Sequence, residues 1–97
     1  MYGTVARIKV KSGQEKKLIS VMGDEERARK IKGYVASYIY RSDNNPNELT
    51  LAVVFESKAL YHANADDPEQ DKWYRKMREC MQEDPAWNDG EIVYATK

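Results

Sequence analysis

The chain has 97 residues, a length that fits one domain and leaves no room for a second. Apolar residues make up 41% of it and charged residues 33%, proportions typical of a folded globular protein rather than a disordered one. Lys and Arg number 16, as do Asp and Glu, so the formal net charge is zero. Nucleic acids and anionic membranes, which need a basic surplus, are therefore not expected partners.

Neither a membrane span nor a targeting signal is expected. The longest apolar run, residues 51–55, is far shorter than the ~20 residues of a transmembrane helix. The first residues have neither the basic lead nor the apolar stretch of a secretory signal. Cys80 is the only cysteine, which excludes an internal disulfide and a cysteine-based zinc cluster. We therefore predict a cytoplasmic protein.

The first third of the chain predicts a strand followed by a helix. Apolar and polar residues alternate from residue 2 to residue 10, the period of a half-buried strand. Ser12 and Glu15 have the spacing of a capping box, which predicts a helix starting at Ser12. Gly23 weakens this helix, and Gly33 is a plausible end for it.

The middle of the chain predicts a hairpin. Residues 33–41 and 48–56 are rich in β-branched, aromatic and aliphatic side chains, and residues 43–47 between them have turn chemistry. If residues 41 and 48 close the hairpin, Tyr40 lies opposite Leu49, Tyr38 opposite Leu51 and Tyr34 opposite Phe55. The tyrosines and the larger apolar residues of the second strand would then share one face.

The last third predicts a helix in two pieces and a final strand. Ser57 can cap a short helix, and Asp67 followed by proline is a strong second start, with Gln70 closing a capping box. The second piece places Trp73, Met77, Cys80 and Met81 on one apolar face and ends near residue 84. Residues 89–90 predict a turn, and residues 91–96 predict the last strand.

This order of elements predicts an α+β fold of the ferredoxin-like type. Two split βαβ units give a βαββαβ plait, a four-stranded antiparallel sheet with the helices on one face. We predict that residues 1–97 form a single domain of this kind. The uncovered face would carry the tyrosines of the hairpin and is too apolar to remain in water. We therefore predict a homodimer through the open sheet face, whose side chains either fill the interface or enclose a pocket.

Three stretches resemble the antibiotic biosynthesis monooxygenase (ABM) family of dimeric α/β-barrel proteins. They are VARIKVKSGQE at residues 5–15, GYVASY at 33–38 and VFESKAL at 54–60. The resemblance implies a homodimer with one pocket per subunit, between the sheet and the broken second helix. Some relatives oxidise aromatic polyketides or quinols with O₂ and no metal or flavin, others degrade haem, and many have no established activity.

The functional residues of the family are matched in part. Its cofactor-free oxygenases use an Asn and a Trp four positions apart on the third strand and a Tyr on the following helix. The corresponding positions are Leu51, Phe55 and Tyr61, so the tyrosine alone matches. Haem-degrading relatives need an axial His and a nearby Trp, where this chain has Tyr74 and Asn64. The comparison argues against haem degradation and predicts no cofactor.

His62 is the only histidine, and histidine is the residue type most often used as a general base at neutral pH. As a general base it could take a proton from a phenol or hydroquinone, giving the anion that reacts with O₂. It could equally be an ordinary surface histidine of a short charged helix. A His/carboxylate iron site needs two imidazoles, so we predict no metal site.

Two functions follow from these observations. The first is a cofactor-independent monooxygenase for a small aromatic, phenolic or quinol compound; the second is a non-catalytic dimeric module that binds a small molecule or contributes to a stress response. The missing Asn and Trp favour the second function, and the His beside a Tyr favours the first. For the enzyme, we predict catalytic roles for Tyr61 and His62. The predicted substrate-binding residues are Tyr34, Tyr38, Leu51 and Phe55.

Overall fold

The computed structural model describes residues 1–96, apart from the side chain of Glu25. The strands form one sheet in the order β2-β3-β1-β4, and every neighbouring pair is antiparallel. The helices cover one face of it, so the predicted ferredoxin-like α+β plait is confirmed. No helix in the described part of the chain is both long enough and apolar enough to cross a bilayer. The elements are β1 (Tyr2–Lys9), α1 (Glu15–Met22), α2 (Glu25–Arg29), β2 (Tyr34–Arg41), β3 (Glu48–Phe55), α3 (Lys58–Ala65), α4 (Pro68–Arg78) and β4 (Ala86–Glu91).

The core lies between the helices and the alternate residues of the two central strands. Leu49 and Leu51 of β3 are directly opposite Ile8 and Ala6 of β1, and all four side chains are buried. Burial of this apolar surface is the main favourable contribution to folding. Leu18 of α1 and Met77 of α4 complete the same cluster, together with Cys80 and Met81, which follow the end of α4. The predicted apolar stripe is therefore part of the core, although its last two residues lie beyond the helix.

The predicted register of the hairpin is wrong by one residue over most of its length. Tyr38 lies opposite Ala52 and Tyr40 opposite Thr50, whereas Leu51 lies opposite Ile39. Because side chains alternate along a strand, this slip places Leu49 and Leu51 on the helix face of the sheet, and not on the open face where the predicted register puts them. Tyr38 and Tyr40 do lie on the open face, as predicted. β3 must bury Leu49 and Leu51 on the same face as its other neighbour, β1. A prediction from the two hairpin strands alone does not include this requirement.

A register irregularity between Tyr34 and Ala36 reverses the slip at the start of β2. One extra residue in the strand changes which face the next side chain occupies. Tyr34 therefore lies opposite Phe55, as predicted, and lines the helix side of the sheet.

The open face of the sheet is apolar, though less so than the predicted register implies. Val5 of β1 is 49% exposed, and Tyr38 and Tyr40 of β2 are 56% and 59% exposed. Between them lie Ala52 and Val54 of β3, both half-buried.

The predicted starts of the second helix are confirmed, but its predicted end near residue 84 is wrong, since α4 ends at Arg78, and the start of the first helix also differs from the predicted one. Gln14 occupies the N-cap of α1 without a side-chain bond, because Gly13, with φ of 79°, turns the chain and separates Ser12 from the helix. Gly23 then ends α1, so the predicted first helix is two helices. The caps of α3 and α4 by Ser57 and Asp67 are confirmed.

The predicted position of the last strand is also wrong. The strand is β4, residues 86–91, and the predicted turn at Asp89 and Gly90 lies inside it, opposite Thr4 and Gly3 of β1. β4 is an edge strand whose residues are all exposed, so it tolerates polar residues and glycine that would destabilise a central strand. This pairing brings Asp89 onto the same face of the sheet as Thr4.

Candidate active site

A cavity of about 720 Å³ lies between the sheet and the helices. Leu51, Val53 and Phe55 of β3 form its apolar floor. Residues of α2, α3, α4 and β4 line its other sides. The cavity is large enough for a small aromatic molecule, since ligand pockets typically measure ~300–1,000 Å³.

A polar cluster stands on one wall of this cavity. The Tyr61 hydroxyl of α3 donates a hydrogen bond of 2.9 Å to Oδ1 of Asp89. Thr4 lies directly across the β1–β4 ladder from Asp89, is 5% exposed, and its Oγ1 has no hydrogen-bond partner. Thr4, Tyr61 and Asp89 all line the cavity.

The environment of Tyr61 keeps its hydroxyl protonated. Burial and, to a smaller extent, the hydrogen bond to Asp89 raise the pKa of Tyr61 from 10.0 to about 12, while the nearby Thr4 hydroxyl acts in the opposite direction. At neutral pH Tyr61 is therefore a hydrogen-bond donor and not a base. Because its pKa is raised in the folded state, Tyr61 stabilises the fold below pH ~10, and this contribution is lost as pH rises toward ~12.

A chain of aromatic rings extends from this cluster. Phe55 contacts Tyr34 and Tyr61 edge-on, with ring centroids 5.9 and 5.5 Å apart. The His62 ring lies 5.4 Å from that of Tyr61 and 5.9 Å from that of Tyr2. His62 is exposed, so its imidazole reaches solvent as well as the cavity rim.

On another wall of the cavity, Arg27 of α2 contacts two residues of α4. Its guanidinium lies 4.5 Å from the centre of the Trp73 ring, and Nη2 donates to Oε1 of Gln70 at 2.5 Å. Trp73 Nε1 donates in turn to the carbonyl of Val21 at 2.8 Å. Gln70 thus joins two helices instead of closing the predicted capping box. Burial lowers the pKa of Arg27, against the opposing effect of nearby carboxylates such as Asp24.

The structure brings most of the predicted site residues together. Tyr34, Leu51, Phe55, Tyr61 and His62 line the cavity. Tyr38 does not join them, because the corrected register places it on the open face, on the far side of the sheet.

Sequence reasoning missed Thr4, Arg27, Trp73 and Asp89 as cavity residues. Asp89 was missed because, with Gly90, it predicts a turn. Trp73 was missed because it lies on an apolar helix face that predicts core packing. Among the described residues, no group of three or more His, Cys, Asp or Glu side chains is arranged to hold a metal ion.

The model of the antibiotic biosynthesis monooxygenase family matches residues 1–76, which include most of the cavity wall. The chain belongs to the ABM family. Among curated proteins, none has a significantly similar sequence.

Solved structures share the ABM fold of this chain. A mutant of SnoaB, a cofactor-independent oxygenase from Streptomyces nogalater, is 13% identical with a TM-score of 0.82, over 97% of this chain and 94% of that one. A conserved protein from Methanosarcina mazei is 17% identical with a TM-score of 0.78, over 92% and 89% of the two chains. At these identities the likeness concerns the fold alone.

The bond between Tyr61 and Asp89 gives a testable prediction. Asp89→Asn removes the charge and weakens the acceptor, so the pKa of Tyr61 is expected to fall from about 12 toward its ordinary value of 10.0. ¹³C-tyrosine NMR across an alkaline titration measures it, with Tyr61→Phe assigning the resonance. An unchanged pKa in Asp89→Asn would contradict the bond.

Proposed function

We propose that this ABM-family protein is a cofactor-independent monooxygenase for a small aromatic, phenolic or quinol compound. The observation that carries the proposal is the cavity itself. It combines an apolar floor with one polar cluster, in which Tyr61 and Asp89 are suited to a ligand hydroxyl, and it has an imidazole at its rim. Aromatic and apolar walls with a few convergent polar groups are typical of small-molecule sites.

His62 is the proposed general base. Its exposure lets it pass a proton to solvent, and the 5.4 Å between its ring and that of Tyr61 places it beside the polar cluster. Removal of a proton from a phenol or hydroquinone gives an electron-rich anion that reacts with O₂. One oxygen atom of O₂ enters the ring and the other leaves as water, so a phenol is converted to a quinone, or a hydroquinone to a hydroxyquinone, and the substrate supplies all four electrons. The reaction proposed here therefore uses no metal or flavin.

Tyr61 has the proposed role of orienting the substrate oxygen. Because its pKa is raised to about 12, it remains a neutral phenol whose oxygen can still accept a hydrogen bond. Tyr34, Leu51 and Phe55 are the proposed substrate-binding residues, because they form the apolar wall against which a planar ring can pack. The Tyr34 hydroxyl is already bonded to Oγ of Ser37 at 2.6 Å, which leaves its ring face as the contact surface.

A second function, a non-catalytic small-molecule-binding module, is supported by a different observation. Leu51 and Phe55 are apolar and buried at the positions where related oxygenases carry an Asn and a Trp. The floor of the cavity therefore offers neither an amide nor an indole N–H to the substrate or to oxygen. In this case the same cavity binds an aromatic ligand without catalysing a reaction.

Oxygen uptake distinguishes the two functions. Purified protein incubated with substituted hydroquinones is expected to consume O₂ above the rate of autoxidation. His62→Ala is expected to lower this rate ~10²-fold, the typical contribution of a general base, and Tyr61→Phe to lower it to a lesser extent. Tyr38→Phe is the matched control, because Tyr38 lies across the sheet from the cavity, and we expect it to retain full activity.

Two results would contradict the enzymatic proposal. Uptake equal to autoxidation, with the ligand nevertheless bound, would favour the binding module. Uptake that survives both His62→Ala and Tyr61→Phe would place the reaction elsewhere.

The proposed partner is a second copy of the chain, bound through the open sheet face. Val5, Tyr38 and Tyr40 expose roughly half of their surface there, next to the small side chains of Ala52 and Val54. An apolar face of this composition suits a twofold interface, in which the same patch meets itself.

A single domain over residues 1–97 and a cytoplasmic location remain predictions of the sequence.

Sedimentation velocity tests this dimer. We expect the wild type to sediment as a dimer at ~10 μM, and the double variant Tyr38→Asp/Tyr40→Asp as a monomer, because charge on an apolar interface is costly to desolvate. Ile19→Asp, a comparable change at an exposed position of α1, should leave the dimer intact. A monomeric wild type at this concentration would refute the proposed interface.

A further inference from the structure

We propose that Thr4 and Asp89 form a recognition site for the hydroxyl group of an aromatic ligand, and that this site discriminates against a carboxylate in the same position. The inference rests on the proposed function, since it assumes that the cavity binds an aromatic molecule. It adds two residues to the site and restricts the chemical class of the ligand at this wall.

The hydroxyl of Thr4 is buried and unsatisfied. Its side chain lies in the middle of the sheet at 5% exposure, and its Oγ1 is buried without a hydrogen-bond partner. Buried polar groups are nearly always bonded, because leaving one unpaired costs free energy. The hydroxyl lies near enough to the Tyr61 oxygen to lower the pKa of Tyr61, but its Oγ1 does not complete a hydrogen bond to it. Because Thr4 also lines the cavity, a ligand oxygen there can supply the missing partner.

The donors and acceptors around Thr4 match a hydroxyl group. Asp89 is its cross-strand neighbour and offers acceptors alone, while Tyr61 has committed its proton to Oδ1 of Asp89. The cluster therefore presents one free donor, the Thr4 hydroxyl, beside free acceptors on Asp89 and Tyr61. A ligand hydroxyl matches both, because it can accept from Thr4 and donate to Asp89 or Tyr61.

Other oxygen-bearing groups match less well. A methyl ether or a ketone can accept from Thr4 but cannot donate. A carboxylate has no proton to donate at neutral pH and would lie close to the carboxylate of Asp89, so like-charge repulsion opposes its binding. The expected order of affinity is phenol first, then methyl ether, then carboxylate.

Binding of three naphthalene probes tests the site without turnover. Under anaerobic conditions, calorimetric titration of the full chain is expected to show 2-naphthol binding ~10-fold more tightly than 2-methoxynaphthalene, and 2-naphthoate more weakly than either. Thr4→Val has nearly the same shape without the hydroxyl. It is expected to lose the ~10-fold preference for 2-naphthol, and Thr4→Ser to retain it.

Urea unfolding of the ligand-free variants separates recognition from structure. Because the Thr4 hydroxyl is unpaired without a ligand, Thr4→Val should unfold at the same or a higher urea concentration than the wild type, although its 2-naphthol affinity is lower. A structural role for the hydroxyl would lower both quantities together and would overturn the proposal.

Asp89→Asn tests the charge on an exposed edge strand, where a change of side chain is well tolerated. It is expected to improve 2-naphthoate binding relative to 2-naphthol, because the repulsion is removed. Three results would overturn the inference: no binding of 2-naphthol, equal affinity of Thr4→Val and wild type for it, or 2-naphthoate binding as tightly as 2-naphthol. Normal probe selectivity without O₂ uptake from hydroquinones would instead refute the monooxygenase and leave this site standing.

Discussion

The pairing of β3 with both of its neighbours is the constraint on which the site depends. β3 must place Leu49 and Leu51 with Ala6 and Ile8 of β1, because these side chains form the buried core. Once that register is fixed, Leu51 and Phe55 necessarily face the helices and become the floor of the cavity. The same register sends Tyr38 to the open face, so one pairing decides which residues belong to the cavity and which to the proposed dimer interface.

The fold could be predicted from the sequence because its signals are local. Alternation in β1 and the caps at Ser57 and Asp67 each depend on a few adjacent residues, and all agree on one architecture. The hairpin register could not, because it is set by burial against a strand ~40 residues away in the chain. The place of β4 was missed for a related reason: pairing with β1 overrides the turn chemistry of Asp89 and Gly90.

The candidate site was predictable where one element carries it. Tyr61 and His62 are adjacent on α3, and Leu51 and Phe55 share one face of β3, so sequence spacing alone groups them. Thr4 and Asp89 meet only through the β1–β4 ladder, and their sequence separation hides this contact. Whether the Thr4 hydroxyl has a hydrogen-bond partner likewise depends on the groups that surround it after folding, so it cannot be predicted from the sequence.

The hydrogen-bonding groups of the cavity lie on its walls and not on its floor. The floor at Leu51 and Phe55 is apolar, and the hydrogen-bonding groups come from β1, α3 and β4. Side-chain NMR contacts test the underlying register most directly. We expect nuclear Overhauser effects from the Leu51 methyl groups to Ile39 and Met77 and none to the Tyr38 ring. Strong effects between Leu51 and the Tyr38 ring, with none to Met77, would contradict it.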